Sequence, residues 1–239
     1  MNGLNVTFVS NEELDNKDNY NKMIYFVNSN NRSFDGYKWI IISEFMFLQG
    51  IMISALKGHN NKNIIIGASK IKVETQEVVF EYDYIITSEY FIKLPKISIA
   101  PNLTIGGLDR LKKDIDRLGI NINVVQLKKA YLDMNRLISF DNLLDRLKKE
   151  KYKCYPEDMV IKPTIKSYEW IKKMKMLRNE FNHYLPKFWV MDTEYLSEAI
   201  IETLKYCKNI LEFRKDHFAN YREEWCLGID NIIATNQVK

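Results

Sequence analysis

The sequence predicts a mainly α-helical bundle with a small β-hairpin insertion around residues 63–94, and three observations predict it. Through most of the second half of the chain, apolar residues recur at three- and four-residue spacing, the period of a helix with one buried face. The run 37–57 (YKWIIISEFMFLQGIMISALK) is apolar on nearly every side, as the central helix of a bundle is. Between 63 and 94 the residues become β-branched and aromatic and alternate roughly by two. With 239 residues, 46% of them hydrophobic, the chain can bury a sizeable core. That excludes a disordered chain, a collagen-like repeat and a disulfide miniprotein.

Taken in order, residues 1–36 are polar and Asn-rich with two short apolar pieces, Leu4–Val9 and Met23–Val27. They read as an N-terminal extension, either an arm on the surface or one holding a strand or a short helix. Residues 37–239 read as a helical domain with an insertion near 61–125. The 37–57 helix contains Ser43, Glu44, Gln49 and Ser54 and falls short of the roughly 20 clean apolar residues of a membrane span. It is therefore expected to be buried in protein. Gly58, His59 and a run of Asn end it, which gives His59 a loop or capping role. Within 63–94 a hairpin is the first reading and a pair of helices the second. Pro95 and Pro101 mark a loop, and Gly106-Gly107 a turn.

From Leu108 the helical period returns. Leu108, Leu111, Ile115 and Leu118 form one stripe, ended by Gly119; 124–137 and 140–150 form two further helices. Pro156 and Pro163 bracket a linker. Thr164 is placed to cap a helix whose apolar stripe is Ile165, Tyr168, Ile171, Met174, Leu177, Phe181 and Tyr184. Pro186 stops it, because the residue before a proline resists the α region. Asp192 or Thr193 caps a long helix to about Phe213, and a shorter helical tail follows near Phe218–Cys226.

Cys154, Cys207 and Cys226 lie too far apart for a dithiol or zinc-ribbon pair, and an odd, sparse count suits a reducing compartment. No basic-then-apolar leader opens the sequence, so a cytoplasmic protein is expected and Asn5, Asn31 and Asn102 carry no glycosylation message. Net charge is +4, but residues 108–175 alone hold 17 Lys and Arg against 10 Asp and Glu. Such a basic middle either draws in a polyanion or reflects solvated lysine faces. There is no glycine-rich phosphate loop, GxSxG elbow, HExxH or EF-hand pattern. Neither a metal nor a cofactor is expected.

One segment carries chemistry: Met176-Leu177-Arg178-Asn179-Glu180-Phe181-Asn182-His183-Tyr184-Leu185-Pro186. It resembles the Arg-Asn-x-x-x-His motif of the HEPN superfamily, helical-bundle proteins of prokaryotic conflict systems, many of them ribonucleases. The segment EFMFLQGIMISALKG also looks like the first helix of one HEPN branch, in which Leu-Gln-Gly precedes an apolar run. The resemblance covers residues 37–60 and 138–213 and does not extend to 1–36 or 61–125. It implies a HEPN-like bundle in which Arg178, His183 and Asn179 form the catalytic set. It further implies a homodimer that brings two Arg and two His to one cleft, and metal-independent cleavage leaving a 2′,3′-cyclic phosphate. In HEPN toxins neutralised by a nucleotidyltransferase, a Tyr lies two residues after the His. Here Leu185 stands in that place and Tyr184 directly follows His183, so neutralisation by AMP transfer is not implied. Another antitoxin or defence partner stays open.

The residue types fit such chemistry. RNA supplies its own nucleophile, the 2′-hydroxyl, so the protein needs a group to move protons and a group to hold the phosphoryl oxygens. A histidine does the first and a guanidinium the second. On a helix, Asn179 and His183 lie about 40° apart on one face, while Arg178 and His183 are about 140° apart and meet only through the long guanidinium arm. The free carbonyls of a last helical turn favour an imidazolium at His183. Asn179 is expected to orient His183 or the phosphate, or else to make a helix-end hydrogen bond. Lys172, Lys173 and Lys175 either follow an RNA backbone or form a solvated face. Tyr184 and Trp189 either pack or stack on a base, and Glu180 faces solvent. Two rivals remain: a HEPN-type module that binds RNA or protein without catalysis, and an unrelated helical scaffold in which Arg178 and His183 point apart.

Overall fold

The computed structural model describes residues 12–29, 34–57, 63–66, 69–73, 76–81, 84–93, 105–134, 136–152, 160–182 and 192–237. Its elements in chain order are α1 (Glu12–Asn28), α2 (Phe34–Leu56), β1 (Ser69–Val73), β2 (Gln76–Glu81), β3 (Tyr84–Ile86), β4 (Phe91–Lys93), α3 (Ile105–Arg117), α4 (Val124–Met134), α5 (Phe140–Leu147), α6 (Ile165–Asn182), α7 (Thr193–Phe213) and α8 (Arg222–Gln237). The chain divides into two compact units, a helical one made of Met1–Leu56 with Leu143–Lys239, and a sheet-bearing one, Lys57–Asn142. The protein is thus mainly helical with one small antiparallel sheet.

In the helical unit α2 is the centre. Ile40, Ile41, Phe45, Phe47, Leu48, Ile51, Met52, Ala55 and Leu56 are all buried, a set that covers about half of the helix circumference, while Trp39 and Met46 on the opposite side are exposed. It is long and apolar enough to cross a membrane, and about two thirds of its apolar window is covered by protein instead. Helices α1, α6 and α7 supply that cover. Tyr37 of α2 bonds Ser197 of α7 through their hydroxyls at 3.2 Å, and Lys208 of α7 reaches both carboxylate oxygens of Asp230 on α8 at 2.8 Å. Where the sequence suggested an arm, a strand or a short helix, residues 12–28 form the 17-residue helix α1. Its Asn16, Tyr20 and Met23 are buried.

Two glycines let α1 approach. A Cβ on Gly50 of α2 would overlap the side chain of Asn16, and one on Gly228 of α8 would overlap the Tyr20 hydroxyl. Into those notches Asn16 donates to Ser54 at 3.0 Å, and Tyr20 donates to the Glu224 carbonyl at 3.2 Å. Around Tyr20 the rings of Phe47 and Trp225 gather, with centroids 5.2–5.6 Å apart. The Gly in Leu48-Gln49-Gly50 is therefore a seat for a neighbouring helix.

In the sheet unit the four strands run in the order β1-β2-β3-β4, all neighbours antiparallel. One face packs on α3 and α4 through Val78, Phe80, Ile85, Leu111, Ile115 and Leu127. A short antiparallel bridge, Ile65 opposite Leu137, joins the start and end of the unit. Gly119, at φ 72°, ends α3 in the left-handed conformation that glycine adopts freely. Asn123 caps α4 by accepting from the Val125 amide at 2.8 Å.

Several expectations need correction. The hairpin of 63–94 is a four-stranded meander, and the paired-helix alternative does not occur. Positions 74–75 and 82–83, between the strands, hold Glu-Thr and Tyr-Asp. Neither Gly nor Pro marks those breaks, so the run read as one alternating stretch. Gly106-Gly107 does not make a separate turn but lies in the first turn of α3, where backbone N–H groups have no intrahelical partner and glycine is tolerated. The tail continues as α8 to Gln237. His59, Cys154, Tyr184, Pro186 and Trp189 lie outside the described residues.

Replacing Gly50 with Ala is expected to destabilise the protein by roughly 1–3 kcal/mol through overpacking, even though Ala favours a helix by about 1 kcal/mol. Urea unfolding midpoints check this. The double variant Asn16→Ala, Gly50→Ala is expected to lose less than the two single losses combined, because the two sites share one contact.

Candidate functional site

Helix α6 carries the motif, and its start is fixed by a cap. The Thr164 hydroxyl accepts from the Ser167 amide at 3.0 Å, as the sequence led one to expect. Ser167 in turn donates to Glu202 of α7 at 3.2 Å. Glu202 is almost fully buried, and Lys205 at 2.8 Å and Lys166 at 3.5 Å complete its shell. Burial alone pushes this carboxyl up, but the hydrogen bonds and charges of Lys205, Lys166 and Ser167 outweigh it and hold the pKa below the ordinary value. This buried anion pins the first turn of α6 to α7.

The face that α6 buries is Ser167, Trp170, Ile171, Met174, Leu177 and Phe181. From Ile171 to Phe181 it is the expected stripe, and only in the first two turns do Ser167 and Trp170 take the interior in place of Ile165 and Tyr168. Ile165 stands 83% exposed, Tyr168 is half-buried, and Trp170 is buried with its ring 4.9 Å from Tyr195 of α7. The heavier ring takes the interior position, because it removes more apolar surface from water.

Arg178 sits at the edge of this face and turns toward α2. Its guanidinium lies 5.1 Å from the centroid of the Phe45 ring. Its Nη1 donates to Asn179 Oδ1 at 3.0 Å, and its Nη2 approaches Met46 Sδ at 3.8 Å. Nε is enclosed and, among the described residues, finds no hydrogen-bond partner. No carboxylate among the described residues pairs with Arg178. Asn179 therefore holds the guanidinium, a role that adjacent helical positions reach only because the Arg arm curls back. Helix α6 is described as far as Asn182; His183, with its expected imidazolium, and Tyr184 lie just beyond the described residues.

The three lysines separate. Lys172 and Asn179, seven residues apart, lie within about 20° of each other on α6, and Lys175 lies about 60° from Arg178. This side also holds Tyr168, whose ring is faced by Lys172 at 4.4 Å and by Lys148 at 4.8 Å. Lys173 turns to the other flank, over Trp170 at 3.9 Å and Tyr195 at 5.4 Å. Around the axis Lys175 is the lysine near Arg178; Lys172 lies about 120° from Arg178, and Lys173 about 140°. Glu180 is half-buried and carries an interaction of its own. Among the described residues no cluster of His, Cys, Asp or Glu is arranged to hold a metal ion.

No protein-family model, curated protein or solved structure matches this chain.

One residue that the motif did not point to is Glu44. It is fully buried in the middle of α2, and neither carboxylate oxygen finds a hydrogen-bond partner among the described residues. Burial holds its pKa well above the ordinary 4.5. The thiol of Cys207 on α7 is likewise pushed up, first by burial and then by the nearby Glu44. The signal was present in the sequence as a lone carboxylate inside a run of apolar residues. Its direction, toward α7 and away from the Arg178 side, was not.

Because the folded state holds the Glu44 proton to higher pH than the unfolded chain does, this group lowers stability progressively above about pH 4.3. The loss is at most about 1.4 kcal/mol per pH unit. Glu44→Met is therefore expected to raise the urea midpoint, with a larger gain at pH 8 than at pH 5. A gain independent of pH would mean that Glu44 does not keep its proton in the folded state.

Proposed function

We propose that the protein is a metal-independent endoribonuclease of a toxin–antitoxin or phage-defence system, built on a HEPN-like helical bundle and working in the cytoplasm. The observation that carries this reading is the setting of Arg178. Its half-buried guanidinium is held by Asn179 and Phe45, has no carboxylate partner among the described residues, and lies about 60° around α6 from Lys175. A cation placed in this way is available to an incoming phosphate, whose oxygens accept from the guanidinium fork.

In the proposed reaction the RNA 2′-hydroxyl attacks the adjacent phosphorus. The 2′-proton leaves to a base, the P–O5′ bond breaks, and the departing O5′ takes a proton from an acid. The products are a 2′,3′-cyclic phosphate and a 5′-hydroxyl. Arg178 stabilises the charge that grows on the phosphoryl oxygens. His183 moves a proton. One histidine per chain serves one of the two proton transfers, so the proposal pairs two copies, each giving one Arg178 and one His183 to a shared cleft. Lys172 and Lys175 follow the backbone of the strand. A partner protein that covers this cleft would silence it.

The test is cleavage of RNA by purified protein in excess chelator. Wild type is expected to leave cyclic-phosphate ends. His183→Ala is expected to slow cleavage about 10²–10⁴-fold, the usual contribution of a positioned acid or base. Arg178→Ala is expected to slow it about 10²–10³-fold, and Arg178→Lys to restore only part, since an ammonium lacks the planar fork. Activity that is unchanged in both Ala variants would refute the assignment. RNA binding without cleavage by wild type would favour the non-catalytic HEPN-type module.

A further inference from the structure

Opposite its packed face the sheet has a second face, and the register defines what that face presents. Lys70, Val79, Ile86 and Phe91 are paired in a row from β1 to β4; Glu81, Tyr84 and Lys93 form a second row, and Lys72 opposite Glu77 a third. The alternate residues Val78, Phe80 and Ile85 belong to the packed face. The second face is therefore set by strand periodicity. Phe91 is 66% exposed, and Tyr84 stacks on it with centroids 4.4 Å apart and an interplanar angle of 30°. Val79 and Ile86, both half-buried, floor the neighbouring positions.

We infer that this face is a binding platform for single-stranded RNA, on which a base continues the Tyr84–Phe91 stack and the flanking phosphates meet Lys93, Lys72 and Lys70. The chemistry favours a nucleic-acid strand over a protein. A stacked ring pair with one ring open to solvent offers a π-face that any base can extend. The apolar floor is narrow and edged by charge, whereas a protein-docking patch is apolar through its centre. Lysines stand on both edge strands, separated by about 14 Å across four strands; the rings lie at the β4 edge, where Phe91 and Lys93 share one strand and Tyr84 pairs with Lys93. Lys93 has no carboxylate partner among the described residues. Lys70 is paired with Glu77 at 2.7 Å, with Lys72 beside that carboxylate. This exposed pair is weak and yields to a phosphate. The face carries three lysines against Glu77 and Glu81, so stacking supplies more of the affinity than charge does.

The inference shares with the proposed function only the premise that the partner is RNA. It does not depend on catalysis at Arg178, and the test keeps the two apart. Binding of a fluorescent, uncleavable 2′-O-methyl oligoribonucleotide of about ten unpaired residues is measured by anisotropy with the full chain. Phe91→Ala, a change at an exposed position that leaves the packed face intact, is expected to weaken binding about 5–100-fold, since a base–aromatic stack is worth roughly 1–3 kcal/mol. Phe91→Trp is expected to retain or strengthen it, and Lys93→Gln to weaken it and flatten its salt dependence. Equal affinity of wild type and Phe91→Ala would overturn the platform while leaving the proposed cleavage site standing. No binding by wild type would overturn it too, and cleavage of natural RNA in the same preparation would then show whether the ribonuclease reading survives.

Discussion

A helix as apolar as α2 needs protein over most of its surface, and about two thirds of its apolar window has it, with Trp39 and Met46 left exposed. Each fully buried Ile, Leu or Phe on it contributes roughly 1.5–3 kcal/mol, but only if other elements close over it. Helix α1 covers one side and α6 and α7 others. Close cover has a steric condition, met where Gly50 leaves room for Asn16 and Gly228 for Tyr20. Polar side chains enter those notches with partners already in reach, so no buried donor on Asn16 or Tyr20 is abandoned. The helical unit is in this sense organised around a single requirement, and its small residues stand where that requirement is tightest.

The same requirement sets the candidate site. Because α2 needs cover along its length, α6 lies against it, and the residues at the margin of their contact are neither core nor free surface. Arg178 is one of these. Phe45 is buried in α2 and Met46 is partly exposed, and between them they offer a ring and a polarisable sulfur rather than a carboxylate. A guanidinium tolerates such surroundings better than an ammonium, being planar and weakly hydrated. The lysines of α6 show the contrast: Lys172 and Lys173 reach rings with their tips, and Lys166 seeks Glu198 and Glu202.

How much of this could be read beforehand depended on whether a local signal existed. The Thr164 and Asp192 caps were legible because a hydroxyl or carboxylate just before an apolar period has few other uses. Helix α2 was legible from composition alone. The strand breaks at 74–75 and 82–83 were not, since what ends those strands is pairing with neighbours and not a glycine or proline. The start of the α6 face was hidden for a related reason: Ile171, Met174, Leu177 and Phe181 are buried as their spacing suggested, but Ile165 and Tyr168 continue that spacing while Trp170 packs on Tyr195 of α7 instead. At the site, the spacing of Arg178 and Asn179 was visible, but their mutual hydrogen bond depends on a side-chain path that spacing does not specify. That Lys173 turns away from Lys172 and Lys175 followed from helical geometry and was obscured by their closeness in sequence.

Two acids in the helical unit show how selectively charge is compensated. Glu202 is buried and ionised, and a hydroxyl and two ammonium groups surround it. Glu44 is buried more deeply and has no such shell among the described residues, and burial holds its pKa well above the ordinary value instead. Either solution avoids an isolated interior charge. Arg178 has neither escape: a guanidinium does not deprotonate, and no described carboxylate approaches it. Its compensation comes from a ring face, one amide oxygen and whatever anion the surroundings admit. Apolar packing would be served as well by an uncharged side chain at that position. The permanent cation there, about 60° around α6 from Lys175, is the one charge of the three that the described residues leave without an opposite charge.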